Sequence, residues 1–124
     1  MGLKKKRLEQ IREAFRLAME KKEDYVNIME TETGKFIQFA IFEAGSIIVM
    51  DIPLIELSSF EMEDLITVLD ASVAFDRQSN EYISIQKFFD IKEVGDIPKV
   101  VEKIFTNVFN FPENYRISIE VFSK

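Results

Sequence analysis

The sequence predicts an α+β fold, an antiparallel sheet with helices packed mainly on one side, in the order α-β-β-β-α-β-β-α-β. Three observations predict it. Residues 4–22 place apolar side chains at helical spacing. Residues 25–52 hold three short apolar runs separated by tight-turn signals, the mark of an antiparallel meander. Two further helix starts then alternate with strand patterns up to residue 121.

In the first helix, Leu8, Ile11, Phe15, Ala18 and Met19 share one stripe, and lysines and arginines, Arg7 among them, fill the other side. Tyr25 to Glu30 reads as the first strand, and Gly34 in TETGK is the natural place for a positive φ. Phe36 to Phe42 is the second strand. Both its odd set (Ile37, Phe39, Ile41) and its even set (Phe36, Gln38, Ala40, Phe42) are largely apolar. A central strand covered at least partly on both faces is expected, because so apolar a strand at an exposed edge invites aggregation. Glu43 to Ser46 is a second turn, and Ile47 to Ile52 the third strand, ended by Pro53.

Ser58 and Glu61 have capping-box spacing, with Leu57 and Met62 placed as a hydrophobic staple. The second helix then carries Met62, Leu65, Ile66 and Leu69 inward and ends near Asp70 or Ala71. A short strand at Val73 to Phe75, a turn at Asp76 to Asn80 and a longer strand at Glu81 to Phe89 follow. Asp96 reads as the N-cap of the last helix, with Pro98 in its first turn and a stripe of Ile97, Val100, Val101, Ile104, Phe105 and Val108. Tyr115, Ile117, Ile119 and Val121 alternate with polar residues, marking a final strand with one wet face.

At 124 residues the chain is expected to form one domain, 1–124. No apolar run approaches the ~20 residues of a membrane helix, and no apolar signal core follows the basic start. A soluble cytoplasmic protein without stable membrane insertion is expected. The first 22 residues carry eight lysines and arginines against three glutamates, a local charge of +5; the remainder carries −11 of the total −6. The acidic body disfavours phosphate, so no nucleic acid partner is expected.

The chain has no histidine and no cysteine. The commonest general base at neutral pH is missing, as are thiolate nucleophiles and zinc-cysteine clusters. Its glycines stand singly, so no phosphate-cradling loop forms. Glu61, Glu63 and Asp64 read as a solvated helix start. Asp51 reads as a strand-end carboxylate facing solvent, with partial burial as the alternative. The expectation is a protein that is not an enzyme, with no catalytic residue, no metal site and no cofactor. Twelve phenylalanines without a tryptophan are more than one small core obviously takes, and the surplus points to an exposed apolar patch for a partner or a dimer.

KFIQFAIF, followed by VMDIPLIELSSFEMEDLITVLD, resembles the pattern of the type III secretion chaperone-like superfamily, which includes bacterial and archaeal proteins labelled as possible sensory transduction regulators. Members tend to show an aromatic-aliphatic-Gln-Phe strand and a Leu-Ser helix start, in the order α-β-β-β-α-β-β-α. Leu69-Asp70-Ala71-Ser72 stands where many members have Leu-Gly-Trp, and the strand at Tyr115 to Val121 is extra. The resemblance implies homodimerisation and binding of a protein segment, with no catalytic residues. The expected function is therefore a non-enzymatic protein-interaction domain; the alternative is a small-molecule regulatory domain with an apolar pocket between sheet and last helix. Ile48 and Met50 on the third strand, and Phe105, Phe109 and Phe111 on and after the last helix, are the candidate contact residues.

Overall fold

The computed structural model describes residues 2–124. Helix α1 (Gly2–Lys21) leads into strands β1 (Tyr25–Glu30), β2 (Phe36–Phe42) and β3 (Ile47–Pro53). Helix α2 (Ser59–Leu69), strands β4 (Ser72–Asp76) and β5 (Glu81–Asp90), helix α3 (Ile97–Lys103) and strand β6 (Ile117–Phe122) complete the order. The six strands form one sheet, β4-β5-β3-β2-β1-β6, and every pairing is antiparallel. Thus β2 and β3 lie at the centre, as the doubly apolar second strand required.

The α1 stripe faces the sheet. Ile11, Ala14, Phe15 and Ala18 are buried, and Phe15 meets Phe39 edge to face at 5.1 Å between ring centroids. Beneath α1, α2 and α3 the sheet presents Val26, Ile28, Ile37, Phe39, Ile48, Met50, Ile52, Ile85 and Phe89, all buried. Leu65 and Leu69 of α2 and Ile97 and Val101 of α3 join the same core. All three helices therefore cover one face of the sheet.

Local sequence sets the connections. Gly34 takes φ +78° in the β1–β2 turn, and Glu30 accepts hydrogen bonds there from the Glu32 and Thr33 amides. The capping box forms as read: Ser58 Oγ accepts from the Glu61 amide and Glu61 Oε1 from the Ser58 amide. Glu61 is also paired with Lys35 Nζ at 2.7 Å, which ties the start of α2 to the start of β2. Leu69 ends α2, and Asp70 caps it in the left-handed region.

Three readings are corrected. Ile66 is 38% exposed, because the α2 stripe that reaches the core is only Leu65 and Leu69, with Met62 partly buried. Asp96 makes no side-chain cap. The chain turns helical earlier, in a 3₁₀ segment at Ile91–Asp96 whose capping box is Asp90 and Glu93, so Asp96 already has helical dihedrals. Arg7, read as exposed, is only 2% accessible. It occupies the buried stripe itself, one helical turn before Ile11, and a cation inside an apolar stripe is easily assigned to the wrong face.

Arg7 is held there by a closed network. Its Nε donates to Glu102 Oε2 at 3.0 Å and its Nη2 to Oε1 at 2.7 Å, a two-pronged pair between α1 and α3. Its Nη1 donates to the carbonyls of Glu113 (2.8 Å) and Tyr115 (2.9 Å) in the segment before β6. Tyr115 Oη donates to Glu102 Oε2 at 2.6 Å, and the guanidinium stacks 3.8 Å from the Tyr115 ring centroid. Arg7→Leu is predicted to lower stability by about 3–5 kcal/mol, because Glu102 then stays buried and unpaired. Adding Glu102→Leu is expected to recover most of that loss. Urea unfolding of the three proteins checks it; equal loss in the single and double variants would contradict it.

Candidate functional site

Two places merit scrutiny: the buried ionic cluster and the uncovered face of the sheet. The cluster is closed. Burial pushes the Glu102 carboxyl upward, but hydrogen bonds and charge from Arg7, with the Tyr115 hydroxyl, outweigh it and hold the group below the usual carboxylate range. Burial first, and the Glu102 carboxylate second, push the Tyr115 phenol above its usual value. Both groups are thereby fixed in single states around neutral pH, the reverse of what proton transfer requires. Their partners are all within the chain, so the cluster locks helices together. Among the described residues no group of three acidic, histidine or cysteine side chains is placed to hold a metal ion.

The second place follows from strand alternation. With Val26, Ile28, Ile37, Phe39, Ile48 and Met50 turned to the helices, their neighbours turn outward, and no helix lies over them. Phe42 is 51% exposed and Phe88 61% exposed; with Ile47 and Val49 they line a shallow apolar depression. Tyr25 stacks on Phe122 at 5.2 Å toward one edge of this face, and Phe75 meets Tyr82 at 5.1 Å toward the other.

The register arranges this face in rows. Phe122, Tyr25, Ala40, Val49 and Phe88 stand directly opposite one another across five strands. The adjacent row is polar on every strand: Glu120, Asn27, Gln38, Asp51, Gln86 and Ser72. Within it Gln86 Nε2 donates to Asp51 Oδ2 at 2.9 Å, while Asn27 Oδ1 is shielded from solvent and accepts no hydrogen bond. Beyond the row, Met29 opposite Phe36 restores apolar character. No Lys or Arg occupies a strand position on this face, whose charged residues include Asp51, Asp90 and Glu120.

The candidate contact residues fall elsewhere. Ile48 and Met50 are fully buried beneath the helices, and the outward positions of β3 are Ile47, Val49 and Asp51. Phe105 is fully buried, Phe109 nearly so, and Phe111 packs on the same core; the three rings lie within 6.3 Å of one another. With Val101, Ile104 and Val108 they fill the space between the sheet and the last helix. That helix ends in a π turn at Ile104–Val108, where the Phe109 amide donates to the Ile104 carbonyl at 2.9 Å. The Phe surplus is real, but it emerges at Phe42 on β2, Phe60 on α2, Phe75 on β4 and Phe88 on β5. The deciding information lies in the pairing with β2 rather than along β3: with Phe39 opposite Met50 and Ile41 opposite Ile48, Ile47 and Val49 turn outward.

No helix is long and apolar enough to cross a membrane among the described residues. Comparison with protein-family models, curated proteins and solved structures finds no match.

Two outcomes follow from this geometry. Glu102 is held more acidic when folded than when unfolded, so its contribution is present above the unfolded value near 4.3 and is lost as pH falls through the folded value. Tyr115 is raised, so its contribution is full below about pH 10 and declines above it. Unfolding free energy is expected to fall at both extremes, and Tyr115→Phe to abolish most of the alkaline decline. Separately, Phe42→Ser with Phe88→Ser is expected to change the stability of the single folded chain, read at high dilution, by about 1 kcal/mol or less, because both side chains are half exposed or more. Thermal melts check it; a collapse of the fold would mark these rings as structural.

Proposed function

We propose that this chain is a non-enzymatic protein-interaction domain that takes a folded protein surface on the uncovered face of its sheet. The observation that supports it is the combination on one face of Phe42, Phe88, Ile47 and Val49 with no helix to cover them. Contiguous exposed apolar surface rimmed by polar groups is the usual mark of an interface. A sheet face with alternating outward side chains packs well against another flat, ordered surface. The acidic side chains on it disfavour phosphate-bearing partners. The absence of histidine and cysteine from the sequence, and the closed state of the buried Arg7–Glu102 pair, support a role without bond-breaking chemistry. The resemblance to chaperone-like proteins implies the same class of role.

A photo-crosslinking residue tests this reading. Placed at Phe88 in the cells that make the protein, it is expected to form adducts with polypeptide. At Arg12, on the exposed side of α1, it is expected to form few. Equal labelling from both positions, or none from Phe88, would remove the open face as a protein-binding surface.

A further inference from the structure

We propose that the occupant of the open face is a second copy of this chain, packed sheet to sheet about a two-fold axis that runs parallel to the strands between β2 and β3. This rests on the reading of that face as a protein-binding surface, and it adds the partner and its register.

Size is the first argument. Six strands at about 4.8 Å spacing and seven residues at about 3.4 Å each give a footprint of ~29 Å by ~24 Å. That is ~700 Å² before side-chain relief is counted, close to the roughly 800 Å² per partner of a standard interface. The outward apolar side chains are spread over the whole width of the sheet, from Phe122 on β6 to Phe75 on β4. A flat partner of equal extent covers both ends at once, and a narrow peptide does not.

The polar row supplies the second argument, because it is self-complementary in one orientation only. Across the sheet it reads Ser72, Gln86, Asp51, Gln38, Asn27, Glu120, with the midpoint between Asp51 and Gln38. A two-fold axis along the strands at that midpoint sets each residue above its mirror in the row. Asp51 meets the partner's Gln38, Gln86 meets the partner's Asn27, and Ser72 meets the partner's Glu120. Each carboxylate thus faces an amide or hydroxyl donor, and the unpaired Asn27 acceptor faces the Gln86 amide. The other in-plane axis, across the strands, sets Asp51 above Asp51 and Glu120 above Glu120. Like charges brought together in a drying interface are strongly disfavoured, so the geometry selects the first axis. Aligned sheets cross at about 30°, which displaces the β5–β1 contacts by only ~4 Å, within reach of Gln and Asn side chains.

Analytical ultracentrifugation from micromolar to submillimolar protein reads the partner. The expected species is 29 kDa, twice the 14.5 kDa chain. A 14.5 kDa species throughout overturns the second copy; adducts from Phe88 to another polypeptide would then still uphold the open face as a binding surface.

Charge substitutions read the axis. Asn27 and Gln86 lie three strands apart, ~14 Å, so they do not couple within one chain. Asn27→Asp and Gln86→Lys each add a desolvated charge with no counter-charge opposite, and each is expected to weaken association at least about tenfold; the double variant is expected to return to within about threefold of the native chain, as Asp–Lys pairs form across the interface. Unchanged single variants, or a double variant as weak as either single, overturn the register.

A second readout stands even if a charged variant folds poorly. The chain has no cysteine. Asn27→Cys mixed with Gln86→Cys is expected to join through a short bismaleimide into heterodimers, with little joining of either variant alone. Self-joining of each variant with no mixed product would place the axis across the strands.

Discussion

The Arg7–Glu102 pair is the constraint on which the layering depends. It joins the first turns of α1 to α3 across nearly the whole length of the chain, and through Tyr115 it fixes the segment that delivers β6. An ion pair this deeply buried is weak evidence for net stability, since removing two charges from water offsets most of their attraction. Its contribution is directional. A guanidinium with five donors, four of them placed by this carboxylate and two carbonyls, permits one disposition of α1 against α3. The Lys35–Glu61 pair ties α2 to the start of β2, with Lys35 also 4.4 Å above the Phe109 ring. All three helices are thereby committed to one face.

That commitment shapes the sheet. In a two-layer fold the covered face needs bulky apolar residues and the free face normally carries polar ones, giving a plain alternation. Here β2 and β3 depart from it. Phe36, Ala40 and Phe42 alternate with Ile37, Phe39 and Ile41, and Ile47 and Val49 alternate with Ile48 and Met50. Two solvents are implied for one strand: a helical layer on one side, and on the other a surface that is apolar without being core. Val49 illustrates the difference. It is 6% exposed although no helix touches its face, because Phe88 and its neighbours shield it; Phe88 in turn is open to water.

Much of this was legible before any coordinates. Element order, the meander, the α2 capping box, the Gly34 turn and the central place of the second strand all follow from local rules of turn chemistry and side-chain period. What escaped is what two distant segments decide together. The burial of Arg7 depends on Glu102 and on carbonyls more than one hundred residues away. The Asp90–Glu93 cap was visible as a spacing but masked by Pro98, which drew the helix start to Asp96. Orientation of β3 was the decisive ambiguity at the candidate site. Two consecutive isoleucines followed by Val-Met offer no parity of their own, so Ile48 and Met50 were as plausible outside as in. Only the register with β2, Phe39 opposite Met50 and Ile41 opposite Ile48, sends them to the core.

The polar row resolves a conflict that the apolar face creates. An exposed sheet surface rich in Phe, Ile and Val invites indiscriminate association, and a monomer must survive before it meets its partner. A band of carboxamides and carboxylates through the middle divides the apolar surface into two strips, each too narrow to collapse onto an arbitrary neighbour without stranding polar groups. The same band makes the correct neighbour recognisable. An incorrect surface desolvates Asn27, Gln38 and Asp51 with nothing in return, whereas the proposed strand-parallel two-fold would return a partner to each. Polar residues at the centre of an apolar surface therefore reduce the gross attraction and raise the discrimination, which is how one buried polar position sets register in coiled coils. In the proposed dimer Asn27 and Gln38 would give specificity, and the apolar side chains on either side of the band would give affinity.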